Sequence, residues 1–487
     1  MENPSRTAPE IAFVRGNMLA PAVPPVSERG AVKWMRENLF SGVFNSGLTV
    51  LGLLAVFLLI NAILPWLLNG VWNANSLGEC RAIIAANAGE GASGACWAVI
   101  RERWHQFLFG FYPRDLYWRP VLALGLLFVA LAPVLYGDNR RSMLTLIGTV
   151  SALTVLALIV VDGSWGHILV LAALLAALMA IGALAQGRLI WFTMLYPAIG
   201  FLLLWGGSVW GPVGSMFGFV LLVAVYQLLK SKFGVVVGTA AGFVVACVWW
   251  LAMQTIVTTA LAGIFDTGLQ AVDSDKFGGF LLALTIGVTA IATALPIGVM
   301  LALGRRSDMF LIKTLSVGFI EFVRGVPLIT MLFTASLLLQ YFLPPQTNFD
   351  LILRVIILVT LFQAAYIAEV IRGGLAALPR GQFEAADALG LDYWQAQRLI
   401  VMPQALKISI PGIVSSFIGL LKDTTLVAFV GLADPLSGIT KIVRADINWK
   451  GIYWEPYLFV GAIFFIFCFG MSRYSMYLEN KLKTDRH

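Results

Sequence analysis

Long apolar runs alternate with short polar breaks along most of this chain, and run length is what decides their structure. A helix crossing the hydrocarbon layer of a bilayer needs roughly 20 apolar residues. Such stretches occur at 47–69, 119–137, 143–161, 167–186, 189–206, 212–229, 235–262, 279–303, 311–343, 349–374, 406–432 and 452–478. They predict an all-α integral membrane protein of about twelve transmembrane helices.

The polar breaks set the orientation. Asp138–Ser142 carries Arg140 and Arg141, Gln186–Arg188 carries Arg188, Lys230–Phe233 carries two lysines, and Gly304–Met309 carries Arg305 and Arg306. The intervening loops VDGSWGH and GGSVWGPVGS contain neither Lys nor Arg. Lys and Arg gather on the cytoplasmic side, so these breaks and both termini are expected there. The first 46 residues, opening MENPSRTAPEIAFVRGNMLAPAVPPVSERG, hold no apolar core followed by a cleavage site, and read as a flexible cytoplasmic arm. The basic, aromatic stretch RERWHQFLFGFYPRDLYWR at 101–119 resists this pattern, because the count puts it outside within a long loop, 70–118. Two readings stay open: an amphipathic helix along the membrane interface, or an error in the count at this point.

Composition agrees with a membrane protein. Of 487 residues 59% are apolar and 12% charged, against about 45–50% and about 25% in soluble domains. The net charge of +7 is accounted for by cytoplasmic loops, and nucleic acid is not an expected partner. Cys247 and Cys468 lie in apolar runs and read as inert core residues. Cys80 and Cys96 share the long polar loop; they can form a disulfide if it faces an oxidising compartment, but sequence does not give their separation.

The chain divides near residue 275. Residues 47–275 are plain apolar helix, with Gly234, Gly238 and Gly242 at a spacing that suits close helix packing. Residues 276–487 carry charges inside their spans and, at 380–405, a polar segment between two spans. Leu378-Pro379 should end the preceding helix, since a residue before proline leaves the α region. Gln382–Leu389 reads as a short helix with Glu384 in its first turn, where a carboxylate meets the positive end of the dipole. Gly390 suits the C′ position. Asp392 followed by Gln395 makes a variant capping box, opening a second helix that runs to Met402 before Pro403. On these grounds alone the segment is a capped interfacial loop or a docking surface.

The order Glu384-Ala385-Ala386, Asp387, Gly390, Ile400 and Pro403 resembles the EAA loop of ABC importer permeases. AAYIAEVIRGGLAALPRGQFEAADALGL, MPQALKISIP, LLKDTTLVAFVGLADPL and FIEFVRGVPLITMLF are similar to the polar amino-acid branch of that family. The longer N-terminal part resembles the large membrane subunits of general L-amino-acid importers of Gram-negative bacteria. The resemblance implies a five-span type I importer core whose loop 380–405 is a coupling helix, gripped through Glu384, Ala385, Ala386, Asp387 and Gly390 by an ATPase dimer. It further implies a homologous second permease, a periplasmic amino-acid-binding protein and an inner-membrane location among lipid. No cofactor is expected in this chain; ATP and Mg belong to the partner ATPase.

Lys422 and Asp423 interrupt an apolar run, and an intramembrane charge costs about 2.5–3.5 kcal/mol unless it faces protein, water or a partner. Neighbours on a helix point about 100° apart, so they do not pair simply and imply a helix break or separate partners. They are either a site for the two charges of an amino acid or a structural pair; Thr424 and Thr425 offer hydrogen bonds either way. Glu321 and Arg324, at i,i+3, are expected to pair near an inner gate. Gln363, Tyr366 and Glu369 form a polar stripe that can face a substrate path, and Arg372 is expected to snorkel to the interface.

No GxxxxGK[ST] and no HExxH occurs in the sequence, so this reads as a conduit energised from outside, with no metal site. The rival from another class is an amino-acid transporter driven by an ion gradient, which does not explain the EAA-type helix pair. A membrane-embedded enzyme lacks nucleophile motifs, and an exporter is disfavoured by the EAA segment.

Overall fold

The computed structural model describes residues 30–137, 139–161, 164–265, 267–342 and 350–484. Its helices run in chain order as α1 Gly30–Asn38, α2 Val43–Leu68, α3 Leu77–Ala88, α4 Ala98–Phe109, α5 Trp118–Leu135, α6 Arg140–Val161, α7 Trp165–Leu184, α8 Leu189–Trp205, α9 Trp210–Val248 and α10 Gln254–Ile264. The second half continues as α11 Gly279–Arg305, α12 Phe310–Gly325, α13 Leu328–Phe342, α14 Leu351–Ala376, α15 Gly381–Ala388, α16 Tyr393–Ala396, α17 Met402–Asp423, α18 Pro435–Ala445 and α19 Trp454–Thr484. Among the described residues nine helical stretches are long and apolar enough to cross a membrane, ten with one bent pair; the expected count of twelve is not reached by this measure. One of the nine, Trp210–Ile264, runs for 55 residues, far beyond a single crossing.

That long stretch folds back on itself. Gly234 has φ +87°, a turn conformation, and nothing lies close to it. Beyond the turn, a Cβ on Gly242 would sit 2.8 Å from the Leu222 carbonyl oxygen, and one on Gly238 3.2 Å from that of Tyr226. Gly238 and Gly242 thus let two antiparallel helices touch backbone to backbone, while Gly234 makes the reversal instead of packing. Trp249 Nε1 donates to the Gly214 carbonyl at 2.8 Å near the other end.

Two compact units are distinguished, residues 1–73 with 79–96, and residues 74–78 with 97–487. In the first, the structure describes the expected arm 1–46 from residue 30 onward. Its residues 30–38 form α1, α2 starts at Val43, and residues 1–29 lie outside the described residues. Cys80 and Cys96 are joined by a disulfide, with Cα atoms 6.1 Å apart. Opening a loop of this size returns about 3 kcal/mol of entropy to the unfolded segment. The Cys80→Ser variant is therefore expected to be cut between residues 79 and 96 by added protease at least ten times faster than the unchanged protein. Limited proteolysis with and without reductant checks this.

In the second unit α5, α6, α7 and α8 form a bundle around Leu126, Val129, Met143, Ile147, Leu175 and Leu189. In the second half α14 is central and packs against α11, α12, α13 and α17. At 101–119 the chain forms a helix and a turn packed on protein. α4 ends at Phe109, Gly110 turns at φ +65°, and α4 packs against α11, α18 and α19. Its partners explain this: Arg103 bonds Asp446, and Glu102 accepts from Trp449 Nε1. Protein contacts thus satisfy charges that would otherwise seek headgroups.

The stretch 311–343, expected as one span, is broken: α12 and α13 meet at 101°. Pro327 lacks an N–H, and Val326 before it is extended (φ −108°, ψ 132°). α12 lies across the ends of α11 and α14, with Ser316 against Gly304 and Ile320 buried beside Ile367 and Ile371. The amphipathic α18, between the last two spans, was not among the expected elements. Inside the bundle Arg354 is buried, and its guanidinium donates to the Ser336 carbonyl at 2.6 Å, joining α14 to α13.

Candidate functional site

α14 stops at Ala376, two residues before Leu378-Pro379, as proline geometry requires. α15 follows. Its end is closed by two bonds, Gly390 N–H to the Asp387 carbonyl at 2.9 Å and Leu391 N–H to the Ala386 carbonyl at 3.2 Å. This is the paired closure for which a left-handed C′ residue is needed, and Gly390 supplies it with φ +69°. The next helix is opened by a reciprocal capping box. Gln395 N–H donates to Asp392 Oδ1 at 2.8 Å, and Asp392 N–H to Gln395 Oε1 at 3.2 Å.

The helix after the cap does not stop at Pro403. A π-turn over Gln397–Val401 leads directly into α17. The wider turn changes the hydrogen-bonding register just before the residue that lacks an N–H, so the proline is absorbed. α15 is thus carried between two long helices on short, capped connections. Glu384, Ala385, Asp387 and Gly390 are exposed, whereas Ala386 is buried against the bundle. Leu389, Tyr393, Trp394 and Leu399 are exposed beside them. Small residues, two carboxylates and large apolar groups on one short segment make a surface suited to a protein partner. Phe383 turns inward, with the Arg306 guanidinium 5.4 Å from its ring centroid.

Next to this segment lies an ion cluster that the sequence reading only partly anticipated. Glu321 and Arg324 do not pair with each other. Glu321 Oε1 meets Arg305 at 2.8 Å, and Arg324 meets Glu369 Oε2 at 3.5 Å. Glu369 is the centre: Arg305 lies 2.8 Å from its Oε1 and Arg372 2.9 Å from its Oε2. The physical reason is position. Arg305 projects from the end of α11 between α12 and α14 and reaches both carboxylates, and the Glu369 side chain, 14% exposed, is less screened than that of Glu321 at 54%. Arg372, one turn from Glu369, also closes on it. Arg305 and Arg306 were legible only as a basic helix end.

Glu369 is held by the ion cluster, whereas the other stripe residues have different surroundings. Tyr366 packs against Phe362 with tilted rings, centroids 4.8 Å apart, and has Arg324 over its ring at 5.6 Å. Gln363 is buried, and among the described residues its Nε2 has no partner.

Lys422 and Asp423 close α17, and the chain changes there to a 3-10 helix over Thr424–Val430, ended by Gly431 at φ +95°. The helix is not broken at the two adjacent charges: it continues through them and changes only in type. Among the described residues neither side chain has a hydrogen-bonding or ion-pairing partner. The threonines differ from expectation: Thr424 Oγ1 donates to the Leu421 carbonyl at 2.7 Å and Thr425 Oγ1 to that of Lys422 at 2.9 Å. Their hydroxyl protons are used at the helix end, which leaves them as acceptors.

Residues 294–484 match the family of binding-protein-dependent transport system inner membrane components. The chain is 62% identical, over 98% of its length and 99% of the relative, to the glutamate/glutamine/aspartate/asparagine transport system permease protein BztC of Rhodobacter capsulatus. It is 35% identical, over 94% of both chains, to the inner membrane amino-acid ABC transporter permease protein YhdY of Escherichia coli. A crystal structure of an amino acid ABC transporter with histidines aligns at 29% identity, covering 41% of this chain and 91% of that one, with a TM-score of 0.37. This chain belongs to the polar amino-acid permeases of ABC importers, the inner-membrane components through which such systems move their substrates.

Proposed function

We propose that this permease carries polar amino acids inward through a path beside Lys422, Asp423, Gln363 and Tyr366, with glutamate, glutamine, aspartate and asparagine the first substrates to test. The observation that carries the energy-coupling part is α15. It is an exposed helix, closed at its C-terminal end by Gly390 and held between α14 and α17, with Glu384, Ala385, Asp387 and Gly390 outward. Permeases of this family work with an ATPase and a binding protein. Here the ATPase dimer would dock on α15, and ATP and Mg would be bound by it and not by this chain. Closure of the ATPases would drive alternating access by rigid movement of the helices around a fixed site.

The chain would pair with a homologous second permease, in the inner membrane of a Gram-negative bacterium, with both termini cytoplasmic. The disulfide between Cys80 and Cys96 supports placing the loop at 70–118 on the oxidising, periplasmic side. Residues 276–487 would form the importer core and 47–275 an added helical part.

The test is uptake of labelled glutamate and glutamine into proteoliposomes holding this chain and its neighbouring subunits. Uptake is expected to require ATP. Glu384→Lys, which reverses a charge on the exposed face of α15, is expected to reduce it to background while the complex still inserts. Uptake that persists without ATP, or is indifferent to Glu384→Lys, would make an ion-gradient-driven transporter the better account.

A further inference from the structure

Arg305 and Arg306 are consecutive at the end of α11 but touch different elements. Arg305 reaches Glu321 on α12 and Glu369 on α14, both at 2.8 Å. Arg306 covers the ring of Phe383 on α15 at 5.4 Å and donates to the Leu375 carbonyl near the end of α14 at 3.5 Å. Successive helical residues diverge by about 100°, so one short helix end meets two elements at once. Phe383 is packed against the same buried cluster as Ala302, Ile320 and Val401, so α15 cannot shift without moving this contact.

On the other side of the relay stands the elbow between α12 and α13. Arg324 lies two residues before Val326, where the chain turns by 101°. Its contact with Glu369, at 3.5 Å, is looser than those of Arg305 and Arg372. As the longest contact of the cluster it is the one that a displacement of α12 would open first, and transmission between distant elements requires an element that can take two arrangements.

We infer that Arg305 and Arg306 are positioning residues for transport: movement of α15 passes through Phe383 and Arg306 to the end of α11, and through Arg305 to the elbow at Val326. The inference rests on α15 being the helix on which the ATPase acts. It assigns these two arginines the coupling of ATP hydrolysis to opening of the path.

The experiment measures labelled glutamate taken up per ATP hydrolysed in proteoliposomes of the full complex, with its binding protein present. Arg306→Ala and Phe383→Ala are each expected to lower that ratio about 10-fold. The double variant should fall no further than either single one, because both break the same contact. Arg306→Lys, which keeps a cation over the ring, should recover part of the loss. If Arg306→Ala does not assemble, Arg306→Lys and Phe383→Leu are measured in the same way, and a ratio equal to that of the unchanged protein in both overturns the relay. Losses that multiply in the double variant also overturn it. Glu384→Lys, run alongside, separates the two readings. If it leaves uptake intact, the docking role of α15 falls and the relay with it. If it stops uptake while Arg306→Ala and Phe383→Ala keep the normal ratio, only the relay falls.

Discussion

Replacing Glu369 by Ala is expected to cost this permease about 2–3 kcal/mol of stability and to abolish uptake. Its carboxylate is shared by Arg305, Arg324 and Arg372. With Glu321 the five groups sum to +1, three arginines against two glutamates. Without Glu369 the sum is +2, and two of the guanidiniums have lost their carboxylate. Breaking a fully buried pair costs about 3–5 kcal/mol; exposure of the arginine side chains by 23–46% reduces the figure here. Glu369→Gln, which keeps the shape and an acceptor but no charge, should fall between Ala and the unchanged protein. Thermal unfolding of the purified complex, with uptake measured in parallel, checks the ranking. A melting temperature for Glu369→Ala equal to that of the unchanged protein would mean that the cluster does not hold α12 to α11 and α14.

Gly374→Val is expected to be as damaging, by a different route. Gly374 is buried where α14 crosses α17, and a Cβ there would sit 2.6 Å from the Ala405 carbonyl oxygen and closer still to Ser409 Oγ. No rotamer relieves a clash made by Cβ itself, so the two helices must separate, at a cost of about 3 kcal/mol or more. The adjacent Gly373 is an internal control: it is exposed and has nothing within 4 Å of its Cβ position. Gly373→Val makes the same change in helix propensity without the clash, and should cost well under 1 kcal/mol. Membrane-inserted yield and thermal unfolding of the pair separate packing from propensity. Equal behaviour would show that α14 and α17 do not need this close approach.

Much of the architecture was legible in the chain because its causes are local. Span length follows from the bilayer. The end of α14 follows from Leu378-Pro379. The closure of α15 follows from the freedom of Gly390 to take a positive φ, and the start of α16 from the side chains of Asp392 and Gln395, three residues apart. Each feature depends on atoms a few residues apart. The change of helix type at Thr424 was not read from the chain, where the two adjacent charges implied only a break or separate partners.

Tertiary structure decided the rest, because several partners were of equal standing until helix ends were placed. Arg324 had Glu321 one turn away, and only the approach of α14 put Glu369 within its reach and gave Glu321 to Arg305. A proline can end a helix or bend it, and the π-turn before Pro403 and the elbow after Val326 show the same residue type resolved in both ways by what packs around it. In the basic, aromatic stretch at 101–119, Arg103 and Glu102 are satisfied by Asp446 and Trp449, more than 300 residues away in sequence, a pairing no local pattern announces. Most apolar stretches and the caps of the 380–405 segment were therefore set by sequence alone, whereas the elbow in 311–343 and the ion cluster exist only where α11, α12 and α14 meet.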